Sequence, residues 1–91
     1  MTLQQLQYIV AVEDTGQFSR AATACHVTQP TLTTMVRKLE DELGVSLFDR
    51  RSLPIRPTTD GEALLAQARV VLREATQLRA LVKELHTGIT G

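Results

Sequence analysis

The sequence predicts a mainly α-helical domain: a three-helix core with a short β-hairpin, followed by one long helix. Three observations carry this. Ser19 to Leu43 has the pattern of a short helix, a tight turn and a longer helix, with Leu32, Val36, Leu39 and Leu43 recurring at helical steps on one face. The run DRRSLPIRP from Asp49 to Pro57 holds two prolines, so it cannot pair along its length in a central strand and fits a hairpin with an irregular basic tip. From Gly61 onward, Leu64, Ala68, Val71, Ala75, Leu78, Val82 and Leu85 alternate steps of three and four, a heptad seam sustained to His86.

Each element has a local cause. Thr2 followed by Gln5 fits a capping box, and Leu3, Leu6, Ile9 and Val10 give a first apolar stripe ending near Glu13. Asp14-Thr15-Gly16-Gln17 is a polar turn, Phe18 anchors it, and Ser19 is a capping candidate for the second helix. Ala21, Ala22 and Cys25 are small enough for another helix to approach closely, and Val27 plugs the corner. Thr28 is the expected N-cap of the third helix, with Pro30 in its first turn, where a missing N–H costs nothing. Gly44 closes that helix in the left-handed region, and Val45 to Phe48 read as a short strand. Thr58 or Thr59 caps the last helix. Running from about Thr59 to His86, that helix would be roughly 40 Å long at about 1.5 Å per residue, so only its first turns can rest on so small a domain. Leu65 and Leu72 widen the near part of its stripe.

The short helix, turn and longer helix form the helix-turn-helix pattern, in which the second helix of the pair lies in a DNA major groove. With the basic hairpin as a wing, the expected fold is a winged helix-turn-helix followed by a dimerising linker helix. The expected boundaries are 1–58 for the DNA-binding domain, 59–87 for the linker and dimerisation helix, and 88–91 for a hinge or chain end. Several Leu and Val side chains along the seam would be wet in a monomer, at about 1.5 to 3 kcal/mol each, and this predicts a dimer through Leu64, Ala68, Val71, Ala75, Leu78, Val82 and Leu85.

Composition narrows the function classes. The chain has 91 residues, enough for one small domain, and no apolar run long enough to span a bilayer. It shows no secretion signal at its start. With one cysteine and two histidines it has neither a disulfide framework nor a four-ligand zinc site. A soluble cytoplasmic protein without cofactor, metal or membrane partner is expected. Ten bases cancel ten acids, but the bases are segregated. From Gly16 through Leu39 the charges are Arg20, Arg37 and Lys38 with no acid, and Arg50, Arg51 and Arg56 form a second acid-free stretch. Phosphate contacts supply most non-specific DNA affinity, so a neutral chain with two basic patches should bind weakly as a monomer and need paired subunits.

Phe18-Ser19-Arg20-Ala21-Ala22, Val27-Thr28-Gln29-Pro30-Thr31-Leu32-Thr33, Leu39 to Val45, Leu47-Phe48-Asp49-Arg50 and Thr58-x-x-Gly61 together resemble the N-terminal domain of LysR-type transcriptional regulators. The resemblance covers essentially the whole chain. It implies sequence-specific binding of double-stranded DNA at an inverted-repeat operator by a bacterial regulator. It also implies antiparallel pairing of the linker helices, a tetramer in the full-length protein and a further two-lobed effector-binding domain. The string Cys25 to Leu32 looks especially like the peroxide-sensing branch, so a small-molecule or redox effector is expected only through that further domain. Thr34 departs from the pattern, since many relatives carry a longer, often basic side chain there.

The candidate DNA-binding residues are Arg20, Thr28, Gln29, Pro30, Thr31, Thr33, Thr34, Arg37, Lys38, Arg50, Arg51 and Ser52. The carboxamide of Gln29 can pair bidentately with adenine, and the resemblance places Gln29 and Pro30 where such regulators meet DNA; the bland reading is a solvated helix start. Pro30 and the methyls of Thr31 and Thr33 can meet thymine methyls or sugars. Arg37 and Lys38 suit phosphates, but with Asp41 and Glu42 they also form i,i+4 pairs worth about 0.2 to 0.5 kcal/mol. Arg50, Arg51 and Ser52 can reach a minor groove, or Arg50 can fold back on Asp49. Cys25 reads as a small buried hydrophobe and His26 as a helix-end residue. No nucleophile, base and orienting group stand at credible spacing, so an enzyme is not expected. The zero net charge leaves one competitor, a protein-interaction adaptor using the winged helix and the long helix.

Overall fold

A computed structural model describes residues 1–88 of the chain. In order, the elements are α1 (Leu3–Thr15), α2 (Phe18–Ala24), α3 (Gln29–Leu43), β1 (Phe48–Asp49), β2 (Arg56–Pro57) and α4 (Thr59–Thr87).

The Thr2–Gln5 capping box forms as expected: the Gln5 backbone N–H donates to Thr2 Oγ1 (3.1 Å) and the Thr2 N–H donates to Gln5 Oε1 (2.9 Å). Gln5 is also buried, and its Nε2 donates to the Met35 carbonyl (3.3 Å), which ties α1 to α3. Because Gln5 takes an inward position, the core face of α1 is Leu6, Tyr8, Ile9 and Val12; Leu3, expected on that stripe, is exposed and Val10 is half-buried. Past Thr15, Gly16 turns the chain at φ 72° and packs against Pro54 so closely that a Cβ there would lie 2.6 Å from the Pro54 Cβ.

Ser19 does not cap α2. The helix already begins at Phe18, with Gln17 at the N-cap and no side-chain capping bond, because Phe18 turns inward onto Phe48 (ring centroids 6.1 Å apart, 80° between planes). At its other end His26 adopts φ 58°, the His26 N–H donates to the Thr23 carbonyl and the Val27 N–H to the Ala22 carbonyl. This is a Schellman closure with histidine at the left-handed position. It makes the tight turn that sets α3 across α2.

Thr28 caps α3 through the Thr31 N–H, with Pro30 in the first turn and Gly44 ending the helix at φ 69°. Leu32, Val36 and Leu39 are fully buried, but Leu43 is 36% exposed: at the last helical residue the stripe has run past the edge of the core. The expected strand from Val45 is shorter and later. Two-residue strands pair antiparallel, Phe48 with Pro57 and Asp49 with Arg56. Leu47 sits outside this ladder because its N–H donates to Glu40 Oε2 (2.7 Å) and its carbonyl accepts from the Thr58 N–H (3.0 Å).

Thr58, not Thr59, caps α4. Its hydroxyl accepts from the Gly61 N–H (2.9 Å) and donates to the Ser46 carbonyl (2.6 Å), which joins the start of the helix to the segment leading into β1. The 29-residue helix ends with Gly88 as its C-cap, one residue beyond the expected His86 end. Only its first part docks: Gly61, Leu65 and Ala68 are buried and Leu72 packs against the core. Ala68, expected on the dimer seam, belongs instead to the chain's own core at 4% exposure. Arg69 clamps the helix to the end of α1 through Glu13 (2.8 Å) and Asp14 (2.6 Å). Beyond Leu72 the helix stands away from the domain, with Leu78, Val82 and Leu85 between 44% and 72% exposed, while Leu64 and Val71 on its docked part are each 36% exposed. No described helix is long and apolar enough to cross a membrane.

Candidate nucleic-acid interface

The exposed face of α3 and the wing form one continuous surface. Gln29, Pro30, Thr33, Thr34 and Arg37 line a shallow concavity of about 470 Å³. Arg37 is shared with a second hollow between α3 and the wing, lined by Glu40, Asp41 and Arg50. Arg50 is shared in turn with a third, which includes Asp49, Arg51, Thr58 and Thr59. The helix start and the basic hairpin therefore lie on the same side of the core.

The expected site residues differ in how free they are. Gln29, Pro30, Thr31, Thr34, Arg37 and Lys38 are exposed and Thr33 is half-buried. Among the described residues neither Arg37 nor Lys38 makes the i,i+4 ion pair that competed for it, and Glu42 instead holds the N-terminal ammonium (2.7 Å). The Thr28 hydroxyl is committed to the cap and donates to Thr31 Oγ1 (2.9 Å). Arg20 is exposed on α2, beside a shallow hollow with Ser19, Thr23 and Ala24.

Arg50 is a strut. Its guanidinium donates to Glu40 Oε1 (2.8 Å) and lies 4.7 Å from the Phe18 ring centroid, so it links α3, the wing and α2 by an ion pair and a cation–π contact. It folds back, but on Glu40 rather than Asp49. Asp49 instead receives the Arg51 backbone N–H (3.0 Å) and Nε–H (3.2 Å), and the Arg51 side chain remains 92% exposed. Hydrogen bonds from Arg51 hold the Asp49 carboxyl below its ordinary range. Ser52 Oγ donates to the Asp49 carbonyl (3.0 Å), which closes the turn.

Glu40 was not singled out by the sequence, although it holds the wing to α3: one carboxylate oxygen takes the Leu47 N–H, the other Arg50, and the side chain is 13% exposed. Its partners lie seven and ten residues onward, past the end of the helix, where no helical spacing rule reaches. Cys25 is half-buried and packs on the core, and burial pushes its thiol up, away from the reactive thiolate.

Three core helices, a paired-strand wing and an appended long helix define a winged helix-turn-helix domain. A model of the bacterial regulatory helix-turn-helix proteins of the lysR family matches residues 3–62. The chain belongs to that family. It is 44% identical over 91 residues to the hydrogen peroxide-inducible genes activator of Dickeya chrysanthemi, and equally to the DNA-binding transcriptional dual regulator OxyR of Escherichia coli K12. Each match covers all of this chain and 30% of the relative. Among solved structures it resembles the DNA-binding domain of BenM in complex with benA site 1 DNA, with a TM-score of 0.91 and 33% identity over 97% of this chain and 99% of that one. It also resembles a full-length OxyR variant from Pseudomonas aeruginosa, with a TM-score of 0.86 and 49% identity over 91% of this chain and 28% of that one.

Proposed function

We propose that the chain is the double-stranded DNA-binding part of a dimeric bacterial transcriptional regulator that works in the cytoplasm without enzymatic chemistry of its own. The observation that carries this reading is the continuous exposed surface from Gln29 through Arg37 to Arg51, a polar helix start beside a basic hairpin. The DNA complexes of its structural relatives support it. Residues 1–58 form the DNA-reading unit and 59–87 the dimerisation helix; of the proposed hinge 88–91, residues 89–91 lie outside the described residues. In the major groove Gln29 reads a base edge, Pro30, Thr31 and Thr33 meet sugars and methyls, and Arg37, Lys38 and Arg20 hold phosphates. Thr28 and Arg50 act by holding the helix start and the wing in place. The α4 stripe of Leu64, Val71, Leu78, Val82 and Leu85, with the half-buried Ala75, pairs with a second copy, setting two α3 helices about 34 to 36 Å apart for an inverted repeat. An effector, and assembly into a tetramer, belong to portions of the protein beyond this chain.

Fluorescence anisotropy with labelled duplex tests the assignment. Arg51→Ala should weaken binding to all sequences and lower the slope of log K against log salt by about one per subunit. Gln29→Ala should leave that slope unchanged and relax discrimination at one base pair per half-site by about 1 to 3 kcal/mol. Affinity independent of salt, or of both substitutions, would favour a protein-interaction adaptor instead.

A further inference from the structure

Leu53 is the most exposed large apolar side chain of the described residues, at 86%. The others more than half exposed are Met1 at the chain start and Leu78 and Leu85 on the α4 stripe. Leu53 lies instead at the tip of the wing, where a solvated loop would ordinarily carry a polar residue. The tip is firmly mounted on both sides. Before it, the Arg51 N–H and Ser52 Oγ are tied to Asp49. After it, Pro54 packs on Gly16, the Ile55 N–H donates to the Gly16 carbonyl (2.8 Å), and Ile55 enters the core. Along the chain, exposed bases stand on either side of it, Arg51 before, its Nε–H on Asp49 and its side chain 92% exposed, and Arg56 after.

An apolar prong between two cations matches a groove whose rims are phosphate and whose walls are sugar. Resting on the DNA-binding reading above, we propose that Leu53 is a specificity-determining residue of the wing: it seats against the sugar walls and floor of the minor groove, while Arg51 and Arg56 meet the phosphates on either side. The minor groove is about 6 Å wide, and its floor differs between pairs chiefly by the N2 amino group of guanine. A leucine pressed there can neither accept from that amino group nor leave it hydrated, so a G·C pair would bury an unpaired donor. The wing thus discriminates A·T from G·C without a hydrogen bond to any base.

The test uses the 91-residue chain and the tightest duplex recovered from a random pool, with the base pairs under the wing changed from A·T to G·C and to inosine·C, which lacks the N2 amino group. Wild type should bind the A·T and inosine·C duplexes alike and the G·C duplex about 5- to 10-fold more weakly. Leu53→Ala should lose that preference, bind the A·T duplex about 5- to 10-fold more weakly, and keep the wild-type salt slope because no charge has been removed. Unchanged circular dichroism is expected, since this side chain supports no core contact. Equal flank preference in wild type and Leu53→Ala would overturn the role of Leu53 while leaving DNA binding in place. A wild-type chain that binds no duplex would overturn both.

Discussion

Gly61→Ala is expected to destabilise the chain by about 3 kcal/mol, a fall of roughly 12 to 24 °C in melting temperature for a domain of this size. Helix propensity alone predicts the opposite sign, since alanine in place of glycine within a helix favours it by about 1 kcal/mol. Tertiary contact decides the outcome. Gly61 is buried in the first turn of α4, where the helix crosses the backbone at Leu47, and an added Cβ would fall inside the van der Waals envelope of the Leu47 carbonyl oxygen and carbon. Those atoms cannot move aside freely, because the Leu47 carbonyl accepts from the Thr58 N–H and the Leu47 N–H is held by Glu40. Thermal denaturation followed by circular dichroism settles the sign; an unchanged or raised melting temperature would mean that α4 does not meet the Leu47 backbone this closely.

Glu40→Ala should cost a similar amount, about 3 kcal/mol, because it removes two charge-assisted hydrogen bonds at once and leaves the Leu47 N–H and the guanidinium of Arg50 without their acceptor. Glu42 supplies the control. It bonds only the N-terminal ammonium, with both groups about half exposed, and its loss should fall within about 1 kcal/mol. Urea titrations of Glu40→Ala, Arg50→Ala and the double variant would measure the coupling. Equal losses for Glu40→Ala and Glu42→Ala would show that the wing is not held through this carboxylate. The functional consequence is specific too: loosening the wing should weaken DNA binding even though Glu40 itself carries the wrong charge to touch a phosphate.

What could be read in advance was what is decided within a few residues. The Thr2–Gln5 box, the Thr28 cap with Pro30 behind it, and the Gly44 stop each rest on a hydrogen bond or a backbone angle spanning three to five positions, and all formed as expected. The polar face of α3 was likewise legible, because residues that must be buried and residues that must not be are sorted by one helical period. Ser19 failed as a cap because Phe18 is drawn inward by Phe48, thirty positions away in the chain. Ala68 and Gly61 share the heptad spacing of the free seam, yet they are buried because the first turns of α4 lie against the wing and α1, and spacing does not say which copy of the chain will cover an apolar residue. Arg50 and Arg51 are neighbours of identical chemistry; the positions of Glu40 and Phe18 make the first a strut between elements, while the second pairs only with nearby Asp49 and stays almost wholly exposed. Arg69 gave no local sign either, since its carboxylate partners stand at the far end of the fold's first helix.

Two copies joined along α4 are expected to present two α3 faces and two wings to one duplex. Selection of bound duplexes from a random pool tests it most directly, because symmetry and spacing are recovered without assuming a sequence. The expected product is an interrupted inverted repeat whose half-sites lie about one helical turn apart, flanked by A·T pairs at the wing positions. Enrichment of a lone asymmetric half-site, or no enrichment over the starting pool, would contradict it.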